Sequence, residues 1–195
     1  MPTGVALRDV REQLFGAAER ILLRDGPDAL TSRAVTTEAG CAKGVLHRHF
    51  SDFDEFLAEL VRDRITKLNA QAHALQESAG TGTVVANLTA ALTELFGTIA
   101  VSIVSLVIFR DELRARLRRA GTPGIPLMRE AAEMIETYLR RERELGRLTA
   151  DADIATLAPT LVGAGHLRFA DRTAPPESAE VARMVTTVLA GALPG

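Results

Sequence analysis

Between Thr31 and Phe50 the chain gathers the side chains best suited to grip a phosphate. Lys43, His47, Arg48 and His49 fall close together, and Thr31, Ser32 and Arg33 stand shortly before them. Hydroxyls and main-chain amides at the start of a helix bind anions with help from the helix dipole. Cationic side chains a few residues later neutralise a nucleic-acid backbone and contact base edges. This is recognition chemistry, not bond making. His47 and His49 are two apart, so on a helix they point to different faces, and no carboxylate lies at i+4 spacing from both; no metal site is expected. Cys41 is the only cysteine, which leaves no intrachain disulfide and no cysteine-built zinc site. The chain also lacks a nucleophile elbow, a phosphate loop and paired carboxylates on an apolar face, so no catalytic residues and no cofactor are expected.

The elements that must carry these residues are short helices. Val10, Leu14, Ala17, Ala18, Ile21 and Leu22 recur at helical spacing, predicting a helix over about Asp9–Arg24 behind a disordered arm of residues 1–8. Gly26-Pro27 ends it. Thr31 or Ser32 supplies an N-cap for a second helix, with Ala34, Val35 and Ala39 facing inward. Gly40 stops that helix in the left-handed conformation glycine tolerates. A third helix over about Lys43–Phe50 buries Leu46 and Phe50 and holds Lys43 at its start. Two helices joined at a glycine turn, the second small and cationic, form a helix-turn-helix that fits a DNA major groove.

Ser51, Asp52, Asp54 and Glu55 contain overlapping capping patterns and open a long fourth helix, to about Glu77, along an apolar seam from Phe53 to Leu75. SAGTG at 78–82 breaks the chain. Further helices are expected over Thr83–Gly97, the apolar run Ile99–Phe109, a charged segment from Arg110, Leu127–Leu145, Asp151–Arg172 and Pro176–Leu193. Pro159 should kink the penultimate one or mark its late start. Gly163 and Gly165 suggest close packing at a dimer seam. The fold class is therefore all-α, about nine helices, with residues 1–50 as the helix-turn-helix domain and 51–195 as a second helical domain.

Charge is not the signal here. The net charge of the chain is -2. Residues 1–50 hold seven Arg/Lys against six Asp/Glu, and 31–50 hold Arg33, Lys43 and Arg48 against Glu38. Any DNA-binding field is local. The first 20 residues lack a signal-peptide apolar core, the 11-residue run at 99–109 is too short to span a bilayer, and a reducing cytoplasm suits one cysteine. No membrane partner is expected. Cys41 reads as a small buried hydrophobe rather than a redox sensor.

The runs AAERILLRDGPDALT, EAGCAKGVLHRHF and SDFDEFL resemble the tetracycline-repressor (TetR) family of bacterial one-component transcription regulators, most specifically over Val10–Leu60. The resemblance implies a double-stranded DNA operator bound by Thr31, Ser32, Arg33, Lys43, Gly44, Val45, His47, Arg48 and His49. Three positions depart from the family pattern: Ala42 stands where a capping Ser is usual, Val45 where Thr or Ser is common, and His47 where Tyr is. Val45 is left only an apolar contact, such as a thymine methyl; His47 keeps a donor that can charge near neutrality.

The resemblance also implies a C-terminal ligand-binding and dimerisation domain, with a homodimer built on the last two long helices. Its small-molecule effector is unidentified, and the pocket candidates are Phe96, Ile99, Ile103, Val107, Met128, Met134, Tyr138, His166 and Phe169. For His166 a satisfied core or interface role competes with ligand contact. The implied function is a repressor released from a roughly palindromic operator by a small apolar ligand. The alternatives are a ligand-binding helical dimer that has weakened or lost operator recognition and, third, an all-α enzyme.

Overall fold

The computed structural model describes residues 5–97, 99–170 and 174–194. The described residues form ten α-helices and one 3-10 turn, with no strand among them. The all-α expectation holds. Ten α-helices stand against the about nine expected, and extended backbone at Arg110 (φ -119°, ψ 97°) separates the apolar run from the charged helix after it, as the sequence divides them. The chain divides into two compact units, residues 1–63 with 102–124, and residues 64–101 with 125–195.

In the first unit, α1 (Val5–Arg24), a 3-10 turn (Pro27–Ala29), α2 (Ser32–Glu38), α3 (Val45–His49) and the start of α4 (Phe53–Glu77) follow one another. The helix begins at Val5, so residues 5–8 are not the disordered arm expected; residues 1–4 lie outside the described residues. Gly26 ends α1 with a φ of 85°. Leu14, Ala17, Ala18 and Leu22 of α1, Val35 of α2, Leu46 of α3 and Phe56, Leu57 and Leu60 of α4 are all fully buried. Phe50 meets Phe56 edge-on at 5.1 Å, and Phe15 lies 5.6 Å from Phe56. The Arg11 guanidinium covers the Phe50 ring at 4.5 Å. Such aromatic packing adds to area burial and fixes the angle at which α3 leaves the bundle.

The same unit takes in most of α6 (Ala100–Phe109) and all of α7 (Asp111–Arg119). Ile103, Val104, Leu106, Val107, Leu113 and Leu117 complete its core. Ser102 Oγ donates to the Leu22 carbonyl at 3.4 Å, and the Arg110 guanidinium lies over Phe53 at 5.4 Å.

In the second unit the remainder of α4 joins α5 (Val84–Phe96), α8 (Met128–Glu144), α9 (Ile154–Ala170) and α10 (Ser178–Leu189). Thr83 Oγ1 accepts from the Ala86 amide at 3.0 Å and caps α5. α9 packs on α8, α10 and α5, and α10 packs on α5. Pro159 falls inside α9 without delaying its start, and the end expected at Arg172 lies outside the described residues. Gly165 corrects the dimer-seam expectation: a Cβ there would stand 2.9 Å from the Phe96 ring, so this glycine serves the approach of α9 to α5 within one chain. Gly163 is exposed and faces open space.

A polar cluster closes this unit. Tyr138 is fully buried; its hydroxyl donates to Glu142 Oε1 at 2.5 Å and accepts from Asn87 Nδ2 at 2.9 Å. Glu142, also fully buried, meets Arg147 Nε at 3.1 Å and accepts from the Gly80 amide. Burial first, then the bond to Glu142, pushes the Tyr138 hydroxyl well above its ordinary pKa. Among the described residues, no single helix is long and apolar enough to cross a membrane.

Candidate nucleic-acid interface

The face that carries the residues expected to meet phosphate is built by local rules. Thr31 is extended (φ -128°, ψ 157°) and its Oγ1 accepts from the Ala34 amide at 3.1 Å, so Thr31 rather than Ser32 is the N-cap of α2. Thr36 is buried and returns its hydroxyl to the carbonyls of Ser32 and Arg33. Ala34, expected inward, is only half-buried. Gly40 stops α2 at a φ of 65°. Cys41 is half-buried rather than buried, with Sγ 3.6 Å from the Ala39 carbonyl.

The third helix is shorter than expected. It spans Val45–His49, and Lys43 and Gly44 form the turn before it. The reason is chemical: no side chain caps this helix, Ala42 having no acceptor to offer. The Val45 amide instead closes a turn on the Ala42 carbonyl at 2.9 Å. Lys43 therefore projects from a turn, not from a first helical turn. Nothing lies within 4 Å of the position a Cβ would take on Gly44, so its backbone is bare to whatever approaches.

Thr31, Arg33, Lys43, Gly44, His47 and Arg48 are exposed; Ser32, Val45 and His49 are half-buried. Leu46 and Phe50 are buried beneath them, as their four-residue spacing requires. Glu38, the one acidic residue of 31–50, is spent on the scaffold. Arg20 Nε holds its Oε1 at 2.8 Å and Arg24 Nη1 its Oε2 at 3.2 Å. These bonds, Arg20 first, hold the Glu38 carboxyl below the usual carboxylate range. Gln13 Nε2 donates to the Ala39 carbonyl at 2.7 Å and satisfies the end of α2.

A second bracket holds the other end of the unit. Asp52 Oδ1 accepts from the Glu55 amide at 2.7 Å, and Glu55 Oε2 reaches back to the Ser51 amide at 2.5 Å. The Asp52–Glu55 pair thus makes the cap half of the expected box, while the glutamate returns to the amide of Ser51, one residue before the cap. Asp52 Oδ2 also accepts from Arg116 Nη2 of α7 at 2.7 Å. Arg116, then the Glu55 amide, keeps the Asp52 carboxyl below its usual range. Sequence reading had no access to Arg116: it is 64 residues from its partner, and no local pattern marks it.

The nine pocket candidates are distributed differently. Ile103 and Val107 belong to the first unit; the other seven belong to the second. Phe96, Ile99, Met134, Tyr138 and Phe169 are buried, and Met128 is half-buried. Tyr138 is committed to the Glu142–Asn87 cluster. His166 stacks edge-on to Phe96 at 5.8 Å. Burial lowers its pKa, and its buried Nδ1 has no hydrogen-bond partner among the described residues. Ile99 lines a cavity of about 60 Å³ with Arg64, Lys67, Leu68 and Leu127.

Comparison with known proteins gives a family match and a fold match. Residues 14–60 match the model of bacterial regulatory proteins, tetR family. Among curated proteins none matches the chain. A transcriptional regulator of the TetR family from Agrobacterium tumefaciens superposes with a TM-score of 0.73 at 15% identity, covering 96% of this chain and 100% of that one. FadR from Bacillus subtilis, solved in complex with stearoyl-CoA, gives 0.68 at 14% identity over 92% and 98%. SmeT, the repressor of the Stenotrophomonas maltophilia multidrug efflux pump SmeDEF, gives 0.63 at 22% identity over 94% and 90%. At these identities the likeness is one of fold.

Proposed function

We propose that this chain, whose helix-turn-helix domain belongs to the tetR family of bacterial regulatory proteins and whose fold is that of solved regulators of that family, is a cytoplasmic homodimeric repressor released from a palindromic operator by a small apolar ligand. DNA recognition is assigned to residues 1–50, steadied by 102–124; ligand binding and dimerisation are assigned to the rest of 51–195. The observation that carries the reading is the exposed run Lys43, Gly44, His47 and Arg48, set above buried Leu46 and Phe50, with the nearby Glu38 charge already neutralised.

Thr31, Ser32 and Arg33 would hold the backbone phosphates, Lys43 and Val45 would meet base edges or phosphate, and His47, Arg48 and His49 would add cationic contacts. Two copies related by a two-fold axis place α3 in successive major grooves, with half-sites about 34–36 Å apart for one helical turn. Leu167 on α9 is 76% exposed, at an open groove of about 810 Å³ shared with Met184 and Thr187 of α10. Covering that face with a second copy supports the dimer. Ligand-bound FadR supports a ligand role for the second unit. A ligand that favours one position of α4 over another shifts the operator-binding population by its differential affinity alone.

The test is an anisotropy titration of the full chain against its own upstream DNA and against random duplex, over a range of salt. Preference for the upstream DNA is expected, and equal affinity for both duplexes would overturn the repressor reading. Lys43→Ala should weaken binding and lower the salt slope by about 1 if Lys43 meets a phosphate; an unchanged slope with weaker binding assigns it to a base edge.

A further inference from the structure

We propose that Arg116, together with Arg110, serves DNA binding without touching DNA: the two arginines screen the acidic start of α4 from the phosphates that α3 meets. The start of α4 is under two opposed demands. A helix N-terminus leaves four amides unpaired and carries a partial positive charge, so it favours carboxylates. Asp52, Asp54 and Glu55 answer that demand, and Asp52 and Glu55 accept from the amides of Glu55 and Ser51. A phosphate backbone close by demands the reverse. Asp52 follows His49 by three residues, no more than about 11 Å of chain, which is comparable with the screening length of about 8 Å at physiological salt. From Thr31 to Glu55 the sequence holds three Arg/Lys against four Asp/Glu. By its own residues, the segment assigned to DNA is acidic.

The missing cations come from the other stretch of the first unit. Arg116 Nη2 donates to Asp52 Oδ2 at 2.7 Å. Arg110 Nε lies 4.0 Å from Asp54 Oδ1, with its guanidinium over Phe53. The bond to Asp52 first, and the charges of Asp54 and Glu55 besides, raise the Arg116 pKa, so one guanidinium stands in the field of all three carboxylates. Residues 110–119 carry five arginines against Asp111 and Glu112. Those two acids are met by Arg114 and Arg119 of the same helix, while Arg110 and Arg116 reach out to α4. With Arg20 and Arg24 on Glu38, three of the four carboxylates of 31–55 face an arginine from outside that segment.

Folding stability does not account for the Arg116–Asp52 pair. Asp52 is 48% exposed and Arg116 27%, and an ion pair so open to water contributes little to stability. Its effect on an approaching polyanion is larger, because removing Arg116 uncovers a full negative charge beside the recognition helix. The inference rests on the DNA-binding reading above and extends it to residues outside 31–50.

A substitution cycle read by anisotropy, on the chain's upstream DNA and on random duplex, tests the screen. Arg116→Gln should weaken binding about tenfold at low salt, and the loss should shrink as salt rises. Arg116→Lys keeps the charge and should bind as the unaltered chain does. Asp52→Asn keeps a capping side chain and should bind at least as tightly as the unaltered chain. Combining Asp52→Asn with Arg116→Gln should restore the lost affinity, and urea midpoints should stay close throughout. Two results overturn the proposal. Failure of Asp52→Asn to restore Arg116→Gln would mean that Arg116 meets the DNA itself. Weakening by Asp52→Asn alone, equal to that of Arg116→Gln, would make the pair a structural bracket. Operator preference without restoration overturns only the screen; restoration on random duplex without operator preference overturns only the repressor; no binding to either duplex overturns both.

Discussion

The two units solve opposite problems with the same helices. In the first, short elements hold exposed polar groups at fixed angles: Thr31, Lys43, His47 and Arg48 face outward because Leu46, Phe50 and Phe56 are locked beneath them. In the second, long helices pack on one another, and polar groups such as Tyr138 and Glu142 are turned inward and paired. Burial predicts that the first unit tolerates substitution on its face but not under it. The packing unit is sensitive at its buried charges and at close approaches such as Gly165 against Phe96.

Four measurements bear on that contrast, from the largest effect down. Phe56→Ala removes the ring shared by Phe15, Phe50 and Phe53 and should cost about 3–5 kcal/mol. Urea unfolding should show the loss together with the disappearance of operator binding; retained operator binding would break the link between the core and the face. In the second unit, Arg147→Met leaves the Glu142 carboxylate buried without its cation. Since Arg147 is about a quarter exposed, a loss of about 2–3 kcal/mol is expected, again by urea midpoint and with operator affinity less affected than in Phe56→Ala.

Thr31→Ala removes a cap and should cost about 1 kcal/mol of stability, with weaker operator binding as the readout specific to the presentation unit. Thr83→Ala, the matching cap of α5, should cost a similar amount without that weakening. The smallest effect is a pH dependence. Burial lowers the His166 pKa in the folded chain, so on acidification the unfolded chain takes up a proton that the folded chain refuses. Stability from this group is present above the ordinary histidine range and falls as pH drops toward the folded value. The urea midpoint should therefore decline between about pH 7.5 and about pH 5.5, and His166→Phe should flatten that decline.

What was legible in the sequence follows the same division. Thr31 as a cap, Gly40 as a stop, Leu46 and Phe50 as an inward pair and the Asp52–Glu55 box all depend on residues within one or two turns, and each could be read from spacing. The start of α3 was misplaced because Ala42 offers no cap, and backbone turn geometry, not side-chain pattern, then decides where the helix begins. Arg116 on Asp52, Arg20 and Arg24 on Glu38, and Gly165 against Phe96 depend on distant partners and leave no local trace. The pocket candidates were chosen as apolar residues on buried helices. Apolar character alone does not separate core from cavity: Tyr138 is committed to a polar cluster, while Ile99 lines a small cavity together with the polar residues Arg64, Lys67 and Gln71 of α4.

The bracket between Asp52 and Arg116 has a consequence for how the molecule is made. The first unit is discontinuous in the chain, since Ile103, Val104, Leu106, Val107, Leu113 and Leu117 complete its core. Fully burying an aliphatic side chain contributes roughly 1.5–3 kcal/mol, against roughly 5–15 kcal/mol for the whole of an ordinary domain. A ribosome that has released only residues 1–63 has delivered a helix-turn-helix without its keel. The core of the first unit is complete only when residue 124 has emerged, by which time residues 64–101 of the other unit are already outside. The first unit is not a cassette that can be cut at α4 and grafted onto another chain; a chimera that keeps its core would have to carry α6 and α7 with it.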